Sequence, residues 1–368
     1  MFIGPRLPIP PPAPPKVIQA IKSIEITNSD EGRDGFEITF GAGRSGPADL
    51  FDYEIIKNPL IKKGNRVIMQ AFMGFMPKVL IDGIITLRQF DTGSGPGQTT
   101  LKVTGEDIIH VMDRQEITAQ WPQQPDNTIV NTILAQYMQY GFVTETRVSG
   151  PLEVPTVFDR MPTQSASDKA YLQVLAENNG AVFYTELGDV IGVNKIYWGP
   201  PRRIGEKQSP LYVNMGPDTN VVGNVNIQDN SLGLTRYDGS IIDRQTGMIV
   251  PVTTVPSTRP PLSMRPEWAT NPDARTMQYR GDGGVSITQA TAQAQGQSDA
   301  STDTITATGE IDSVRYGNIL RARRLVEVHG AGEEHDGKYY VKKVVHKIKR
   351  GEYKQSFELT RDGAGPIP

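Results

Sequence analysis

Hydrophobic and polar residues alternate along most of this chain, in short runs separated by turns that contain glycine or proline. The run 35–40 is the clearest, because Phe36, Ile38 and Phe40 are separated by single polar residues. A period of two is typical of a β-strand with one buried face. The same pattern predicts strands at 17–26, 53–56, 66–72, 79–90, 99–103, 181–185, 190–196, 211–215, 221–228, 233–238, 319–329, 338–350 and 352–361.

The period changes to that of a helix in two segments, 126–140 and 167–178. Each begins at a residue that can cap a helix and is followed by a glycine that can end it. These residues are, in order, Asp126 and Gly141, then Ser167 and Gly180. A third segment, 286–300, is rich in Ala, Gln and Thr. It is compatible with a helix that packs only a thin stripe on a neighbour.

This order of elements predicts a mainly β (α+β) protein, with two barrel-like domains and a small α/β insertion domain. Residues 251–273 are predicted to be a loop or linker because they are dense in proline, threonine and arginine. A weak internal similarity links the hairpin that begins at Val79 to the hairpin that begins at Tyr340. The predicted parts are a proline-rich arm (1–16), a first β domain (17–118), the α/β domain (119–210), a second β domain (211–245 and 303–363), a linker or insertion (246–302) and a tail (364–368).

Composition narrows the class of protein. The 368 residues include no cysteine, which excludes disulfides, a thiolate nucleophile and cysteine-ligated zinc. The formal net charge of −3 predicts no general attraction to nucleic acid or to an anionic membrane. No run of about 18 apolar residues predicts a membrane-spanning helix. The proline-broken N-terminus does not resemble a secretory signal peptide.

A search for catalytic chemistry finds no convincing centre. His329 and His335 lie in a glycine-rich loop with acidic neighbours, but their spacing matches no helical zinc motif. His110 is expected to be structural. The glycine run 93–97 lacks the lysine and the helix of a phosphate-binding loop. We therefore predict no catalytic, cofactor-binding or metal site.

Basic residues are concentrated near the C-terminus. Between Arg315 and Arg361 there are twelve Lys or Arg against six Asp or Glu. The segment is either a solvated sheet face or a basic surface that meets an acidic partner or lines a passage for charged cargo. The candidates for contact with a partner or lumen are Arg321, Arg323, Arg324, Lys342, Lys343, Lys347, Lys349 and Arg350.

Three segments, in this order, resemble the phage late-control D proteins and the VgrG spike family of type VI secretion. The first is a hairpin with Gly83, Val103, Gly105, Asp107 and Asp113-Arg114. The second is a helix and strand with Ser167, Asp168, Tyr171, Leu172, Leu175, Ala176, Glu177, Gly180, Phe183 and Tyr184. The third is an ending with Asp336-Gly337-Lys338-Tyr339-Tyr340-Val341, Val344-Val345-His346, Tyr353, Phe357 and Thr360-Arg361, which departs from the family spacing at Glu352.

This resemblance implies a structural baseplate hub of a contractile injection machine, not an enzyme and without a cofactor. Such hubs are homotrimeric rings that adapt a threefold spike to a sixfold inner tube and form part of the central channel. The implied partners are a separate spike protein, the inner tube protein, and tape-measure and baseplate wedge proteins. Membrane is not among them, and nucleic acid is implied only as cargo in the lumen. Assembly in the bacterial cytoplasm and incorporation into a phage virion or injection particle are also implied.

Two alternatives stay open at this stage. A β-rich carbohydrate-active or wall-degrading enzyme would need a cleft with paired carboxylates, and no pair is singled out by spacing. A secretion-type spike base that carries an effector is the other. The sequence does not distinguish a phage from a bacteriocin-like tail or a host-encoded injection system.

Overall fold

The computed structural model describes residues 1–6, 9–30, 34–42, 54–73, 76–93, 98–147, 161–188, 190–230, 233–243, 247–271, 274–280 and 286–367. The strands are β1 (Phe2–Gly4), β2 (Ile21–Ser29), β3 (Gly35–Gly41), β4 (Arg66–Met73), β5 (Met76–Asp91), β6 (Thr100–Asp107), β7 (Glu116–Gln120), β8 (Phe142–Thr146), β9 (Thr163–Ser167), β10 (Val182–Leu187), β11 (Asn194–Gly199), β12 (Leu211–Tyr212), β13 (Val221–Asp229), β14 (Thr235–Ile242), β15 (Ile249–Thr253), β16 (Ser263–Pro266), β17 (Arg275–Gln278), β18 (Ile305–Asp312), β19 (Leu325–His329), β20 (Gly337–Lys349), β21 (Glu352–Arg361) and β22 (Gly363–Pro366). The helices are α1 (Pro15–Gln19), α2 (Glu54–Lys57), α3 (Asp126–Ala135), α4 (Asp168–Asn178), α5 (Glu267–Thr270), α6 (Ile287–Ala300) and α7 (Ser313–Tyr316).

One large, mostly antiparallel sheet of 12 strands runs through the molecule. Its main path is β1-β4-β5-β6-β3-β2-β20-β21-β18-β13, with β19 and β12 beside the first part of β20. The mainly β class with two similar β units is therefore confirmed. Within the described residues neither unit closes into a barrel, because the two are joined edge to edge in one open sheet.

The two halves of this sheet have the same strand order. The first half reads β4-β5-β6-β3-β2, and the second reads β19-β20-β21-β18-β13. In both, the strands lie in the same relative order along the chain, so β5 corresponds to β20, β6 to β21, and β2 to β13. The internal similarity in the sequence therefore reflects a repeated structural unit.

The long central strands β5 and β20 carry a β-bulge at the same place. The extra residue is Thr86 in β5 and Lys342 in β20. Just before each bulge, main-chain bonds of 2.8–2.9 Å run outward to the segment that precedes β4 or β19. They join Ile85 N–H to Asn65 O and Gly64 N–H to Ile85 O in one half, and Val341 N–H to Arg324 O and Arg323 N–H to Val341 O in the other.

This equivalence corrects the alignment of the repeat. The sequence comparison set Val79 beside Tyr340, whereas the structure sets Ile84 beside Tyr340, because each faces the same position of the next strand. The strands were correctly matched, but the offset was wrong. Alternating apolar residues fit several offsets, and only the bulge and the strand partners select one.

The two halves meet where β2 pairs with the second part of β20. The antiparallel register runs without interruption from Ser23 opposite Lys349 to Ser29 opposite Lys343. The first part of β20 pairs instead with β19, from Val328 opposite Gly337 to Leu325 opposite Tyr340. A single strand therefore belongs to both halves.

The hydrophobic core lies on one face of this sheet and divides into two clusters. One contains Ile26, Phe36, Ile38 and Val103 of the first half. The other contains residues such as Phe357 of the second half. Burial of these alternating side chains removes the central part of one face of the sheet from water and is the main favourable term in its stability.

A separate α/β unit lies between the two halves in sequence. It combines α3 and α4 with the small sheet β10-β11-β8, around a buried cluster that includes Ile133, Leu172 and Trp198. The predicted cap of α4 is confirmed, because Ser167 Oγ accepts the Ala170 N–H at 3.3 Å. The helix predicted at 126–140 is shorter than expected: α3 ends at Ala135, and Gly141, with a φ of +86°, ends the 3-10 turn Met138–Tyr140 that follows it. Asp126 is the first residue of its helix, with Pro125 as the N-cap. Strand 190–196 is displaced, since β11 begins at Asn194. Domain boundary residues stay a prediction.

Helix α6 confirms the thin apolar stripe expected for 286–300. Its buried positions include Ala290, Ala294 and Ser298, and it packs on β14, β15 and α4. The helices approach closely at two glycines, because a Cβ on Gly296 would lie 3.0 Å from the Cα of Gly180. Small residues thus replace the large apolar side chains that helix packing usually needs.

Four predictions of local structure were wrong or incomplete. The first part of the strand predicted at 17–26 is helical, since α1 spans Pro15–Gln19 and β2 begins at Ile21. The strand predicted at 53–56 is helical in its described part, since α2 begins at Glu54. The predicted loop 251–273 contains parts of the sheet system: β15 pairs with β14, and β16 pairs with β22 at the far end of the chain. Residues 319–324 of the strand predicted at 319–329 precede β19. Pairing with strands that are distant in the sequence determines the secondary structure of these segments, and the local sequence carries no signal of it.

The described part of the N-terminal arm folds back on its own chain. Strand β1 pairs with β4, Ile3 N–H donates to Pro11 O at 3.0 Å, and Ala13 N–H donates to Met1 O at 3.0 Å. Ile3 is fully buried in the first cluster. The arm therefore contributes to the core of the first half, which its proline content did not indicate.

Candidate functional site

The face of the large sheet opposite the core is polar. We define the polar face as Ser23, Glu25, Thr27, Glu37, Thr39, Lys102, Thr104, Thr308, Glu310, Lys343, Lys347, Lys349, Lys354, Ser356 and Glu358. These side chains alternate with the buried ones on six adjacent strands, and all are exposed or half-buried. The polar face crosses from one half to the other without interruption.

Opposite charges are interleaved on this face. Lys102 Nζ lies 3.0 Å from Glu37 Oε1 in the first half. In the second half Glu310 accepts ion pairs from Lys354 at 3.2 Å and from Lys347 at 3.7 Å. Such exposed pairs add little stability, and the β20 lysine that takes part in them is Lys347.

The predicted contact residues divide into separate groups. Lys343, Lys347 and Lys349 share the polar face. Lys342 is the bulged residue, and its carbonyl accepts the Asp30 N–H at 2.8 Å. Arg350 lies at the β20–β21 turn and donates to Gln19 O.

The remaining three predicted residues lie before β19. Arg324 is exposed, and Arg321 is half-buried with its N–H bonded to Gln208 Oε1 at 2.8 Å. Arg323 is buried and is not part of a surface. The basic segment of the sequence therefore divides in the structure. Its lysines share a polar face with acidic side chains, and Arg323 is a buried cation.

Arg323 joins the end of β2 to the second half. Its Nη1 donates to Asp34 Oδ2 at 2.9 Å, and its Nη2 donates to Asp34 Oδ1 at 3.0 Å and to the Ser29 carbonyl. Asp34 Oδ1 also accepts the Ser29 N–H at 2.8 Å. Both terminal nitrogens of Arg323 are therefore bonded, at a site where an unpaired charge would be costly, while its Nε lies 3.9 Å from Asp30 Oδ1 and has no hydrogen-bond partner.

The same guanidinium reaches the α/β unit. Its Cζ lies 4.5 Å from the centre of the Tyr184 ring, and its Nη1 is also 3.4 Å from the Thr185 carbonyl. Arg323 has a φ of +63°, a left-handed conformation that costs a non-glycine residue energy. Gly64 holds the equivalent position of the first half with a φ of +86°. Arg323 is therefore a strained residue that fixes three parts of the chain together.

A second buried acid lies beside this pair. Asp107 Oδ2 accepts a hydrogen bond from Thr185 Oγ1 at 3.2 Å. Burial, together with the nearby Asp34 carboxylate, raises the pKa of Asp107 to about 7. Asp107 was noted in the sequence only as part of the hairpin that resembles the family, and Asp34 carried no signal that set it apart from other acidic residues.

Other titratable groups have structural roles. Burial lowers the pKa of His346 to about 3, and its Nδ1 lies 3.0 Å from the Tyr353 hydroxyl. His110 Nδ1 lies 3.5 Å from Glu106, and His329 stacks on Tyr212.

Among the described residues no group of three His, Cys, Asp or Glu is placed to hold a metal. Among the residues that the structure describes, no helix is both long enough and apolar enough to span a membrane.

Comparison with known proteins was informative only at the level of structure. No protein-family model matches the sequence. No curated protein matches it either. Solved structures, in contrast, match over nearly the whole chain.

Two of these structures are tail proteins, one of them from a prophage. The tail protein from Neisseria meningitidis MC58 is 13% identical, with a TM-score of 0.61 over 94% of this chain and 93% of the other. The 43 kDa tail protein of prophage MuSo2 from Shewanella oneidensis is 14% identical, with a TM-score of 0.64 over 93% and 94%.

The third is the E. coli c3393 protein, described as a component of the type VI secretion system with structural similarity to the T4 tail proteins gp27 and gp5. It is 12% identical, with a TM-score of 0.53 over 94% of this chain and 76% of that one. The chain therefore has the fold of these tail and secretion proteins. This confirms the fold that the resemblance in its sequence predicts.

Proposed function

We propose that this chain, with its tail-protein fold, is a non-enzymatic structural hub in the baseplate of a contractile injection machine. Three copies form a ring that adapts a threefold spike to a sixfold inner tube. The ring surrounds part of the central channel. The repeated strand order of the two halves supports this proposal best, because three chains with two equivalent units each present six similar units.

The polar face suits the wall of such a channel. It is broad and continuous, and its Ser, Thr, Lys and Glu side chains leave it nearly neutral. A lining of this kind stays hydrated and offers a charged cargo, whether protein or nucleic acid, no strong binding site. The lumen-contact residues in this proposal are Lys343 and Lys347, while Lys349, Arg350 and Arg324 face partner proteins at the rim.

The proposed partners are those implied by the resemblance: a separate spike protein, the inner tube protein, and tape-measure and baseplate wedge proteins. The chain would assemble in the bacterial cytoplasm and become part of a phage virion or injection particle. An enzymatic alternative has no support from a described cluster of carboxylates beside a cleft.

The native mass of the purified chain tests the proposal. A trimer has three times the chain mass of 40.4 kDa, about 121 kDa, and should appear as a ring in negative-stain images. Light scattering or native mass spectrometry gives the mass. A chain that stays monomeric both alone and with its candidate spike protein would contradict the proposal.

A further inference from the structure

Two buried carboxylates connect the α/β unit to the first half of the large sheet. Asp82 of β5 accepts a hydrogen bond from Asn194 Nδ2 of β11 at 2.6 Å. Asp107, at the end of β6, accepts one from Thr185 Oγ1 of β10 at 3.2 Å. The two acids are close in the sheet, since Asp107 pairs with Gly83. The α/β unit is therefore held at this place by two acids of the same kind.

The two acids differ in the cation that each one has. Arg66 donates to both oxygens of Asp82, from Nε at 2.7 Å and from Nη2 at 2.6 Å, so it balances that charge. Asp107 lies near Arg323, but both terminal nitrogens of Arg323 already bind Asp34. Two carboxylates, Asp34 and Asp107, therefore share one guanidinium. We call these three residues the acid cluster.

The other charged groups around the acid cluster do not supply a second dedicated cation. Lys169 of α4 is buried, but its Nζ lies 3.9 Å from Glu106 Oε2. His110 Nδ1 lies 3.5 Å from that same oxygen. On the other side, Asp30 Oδ1 lies 3.9 Å from Arg323 Nε, so a further acid competes for the guanidinium.

A cavity of about 40 Å³ borders the acid cluster. Its walls include Thr185 and Arg323, which bind the two acids, together with Asn28 and His346. A cavity of this size and polarity can admit water. Burial lowers the pKa of His346 to about 3, so this side chain is uncharged above about pH 4 and does not change its charge near neutral pH.

We propose that Asp107 is a proton-controlled switch that holds the α/β unit on the large sheet while it is protonated and releases β10 when it is ionised. In the protonated state Arg323 balances Asp34, and the closed cluster is stable. After ionisation, repulsion between the two carboxylates and their demand for water favour an open state. In that state β10 separates from the cluster and water enters from the cavity. The contact through Asp82 keeps its own cation and stays closed.

The direction of the change follows from the pKa of Asp107 in the two states. Burial and the Asp34 carboxylate raise this pKa to about 7 in the closed state, whereas a solvated aspartate has a pKa of about 4. The closed state binds the proton more tightly, so closure is most favourable below about pH 4. The ratio of closed to open molecules should then fall roughly tenfold per pH unit and level off above about pH 7.

Hydrogen exchange of the full chain, measured by mass spectrometry, tests the switch. The reporters are peptides that contain β10 and peptides that contain Ser29, whose N–H donates to Asp34 Oδ1 at 2.8 Å. Asp107→Asn has nearly the shape of the protonated acid and should stay closed at every pH. Because both chains are compared at the same pH, the intrinsic effect of pH on exchange cancels. The ratio of the wild-type rate to the variant rate should rise roughly 80-fold from pH 5 to pH 8.

Two controls separate local release from other effects. Peptides of β21 that contain Phe357 lie in the core of the second half, and their ratio should stay constant. Glu116→Gln removes an exposed acid from β7 and should exchange like wild type at every pH. A constant ratio in the β10 peptides would overturn the switch. An equal rise in the β21 peptides would show global unfolding and would also overturn it.

Thr185→Val gives a second test that leaves both carboxylates in place. The hydroxyl of Thr185 favours the ionised form of Asp107 and so lowers the pKa of that acid. Its removal should therefore shift the exchange profile of the β10 peptides, corrected for intrinsic rates, to higher pH. An unshifted profile would mean that a different group controls the opening. The switch belongs to the single chain, so its failure would leave the proposed function unaffected.

Discussion

Arg323 shows how one residue can determine the arrangement of a whole chain. Its left-handed backbone costs on the order of 1 kcal/mol, and its buried charge would cost much more without a partner. The bidentate pair with Asp34 and the bond to the Ser29 carbonyl offset both. The residue therefore persists only because β2, β19 and the α/β unit meet around it.

We expect Arg323→Ala to lower the free energy of unfolding by about 3–5 kcal/mol, because it leaves Asp34 buried without a counter-charge. Urea denaturation measures the change. The neighbouring Arg324→Ala is a matched control: its side chain is exposed, so its effect should stay within about 0.5 kcal/mol. Equal losses in the two variants would contradict the role assigned to Arg323.

The raised pKa of Asp107 leads us to expect a particular dependence of the free energy of unfolding on pH. Its pKa is raised in the folded chain to about 7, from about 4 in the unfolded chain, so the folded state binds the proton more tightly. Its contribution to stability is fully present below about pH 4 and is lost as the pH rises through 7. Other groups titrate as well, so the difference from a variant is the useful quantity.

For Asp107→Asn we expect a folded chain that gains stability relative to wild type as the pH rises from 4 to 8, by roughly 2–4 kcal/mol. Thermal or urea unfolding at several pH values gives the difference curve. Asp113→Asn, which removes an acid from the same segment, serves for comparison. A flat difference curve for Asp107→Asn would show that Asp107 is ionised throughout.

At the scale of elements, the signals that predicted structure correctly were local. The alternation of apolar and polar residues correctly predicted most strands of the large sheet. The helical period, with capping residues and glycines, correctly predicted α3 and α4. The predictions that failed concern segments whose structure depends on distant partners. Strand β16 forms by pairing with β22, which lies about 100 residues later in the chain, so the local sequence does not indicate it. The burial of Arg323 has the same cause, since Asp34 is 289 residues away along the chain.

Strand β20 carries the proposed contact with partner proteins at its end. Lys349 is exposed on the polar face beside the β20–β21 turn. We expect Lys349→Glu to weaken docking of the tube or spike protein several-fold and to leave unfolding unchanged, because an exposed charge contributes little to stability. Pull-down or interferometry with the candidate partners measures the docking.

Arg275→Glu makes the same charge reversal on β17, in the separate sheet β15-β14-β17, and is the control. It should leave docking unchanged. If Lys349→Glu docks like wild type, the end of β20 is not a contact surface. If both variants weaken docking equally, the effect is one of net charge and not of position.

At the scale of the whole molecule, the resemblance in sequence predicted the overall plan better than the site. The repeated β units and the α/β unit between them were expected from the order of the motifs. A solvated sheet face was one of two expectations for the basic segment, but its mixed charge was not predicted. The polar face is assembled from six strands, and Glu310, which pairs with Lys347 of β20, lies on β18. A count of charges along one segment cannot show which neighbours a sheet will supply.

The internal β2–β20 junction has a consequence for how such a ring would form. A ring of six separate units must bring six molecules together, so its yield falls steeply when the concentration of the units decreases. When two units share one chain, their mutual contact forms at a fixed and high effective concentration. Half of the junctions in the proposed ring therefore exist before any encounter, and assembly becomes a third-order process that can proceed when only a few copies of the chain are present.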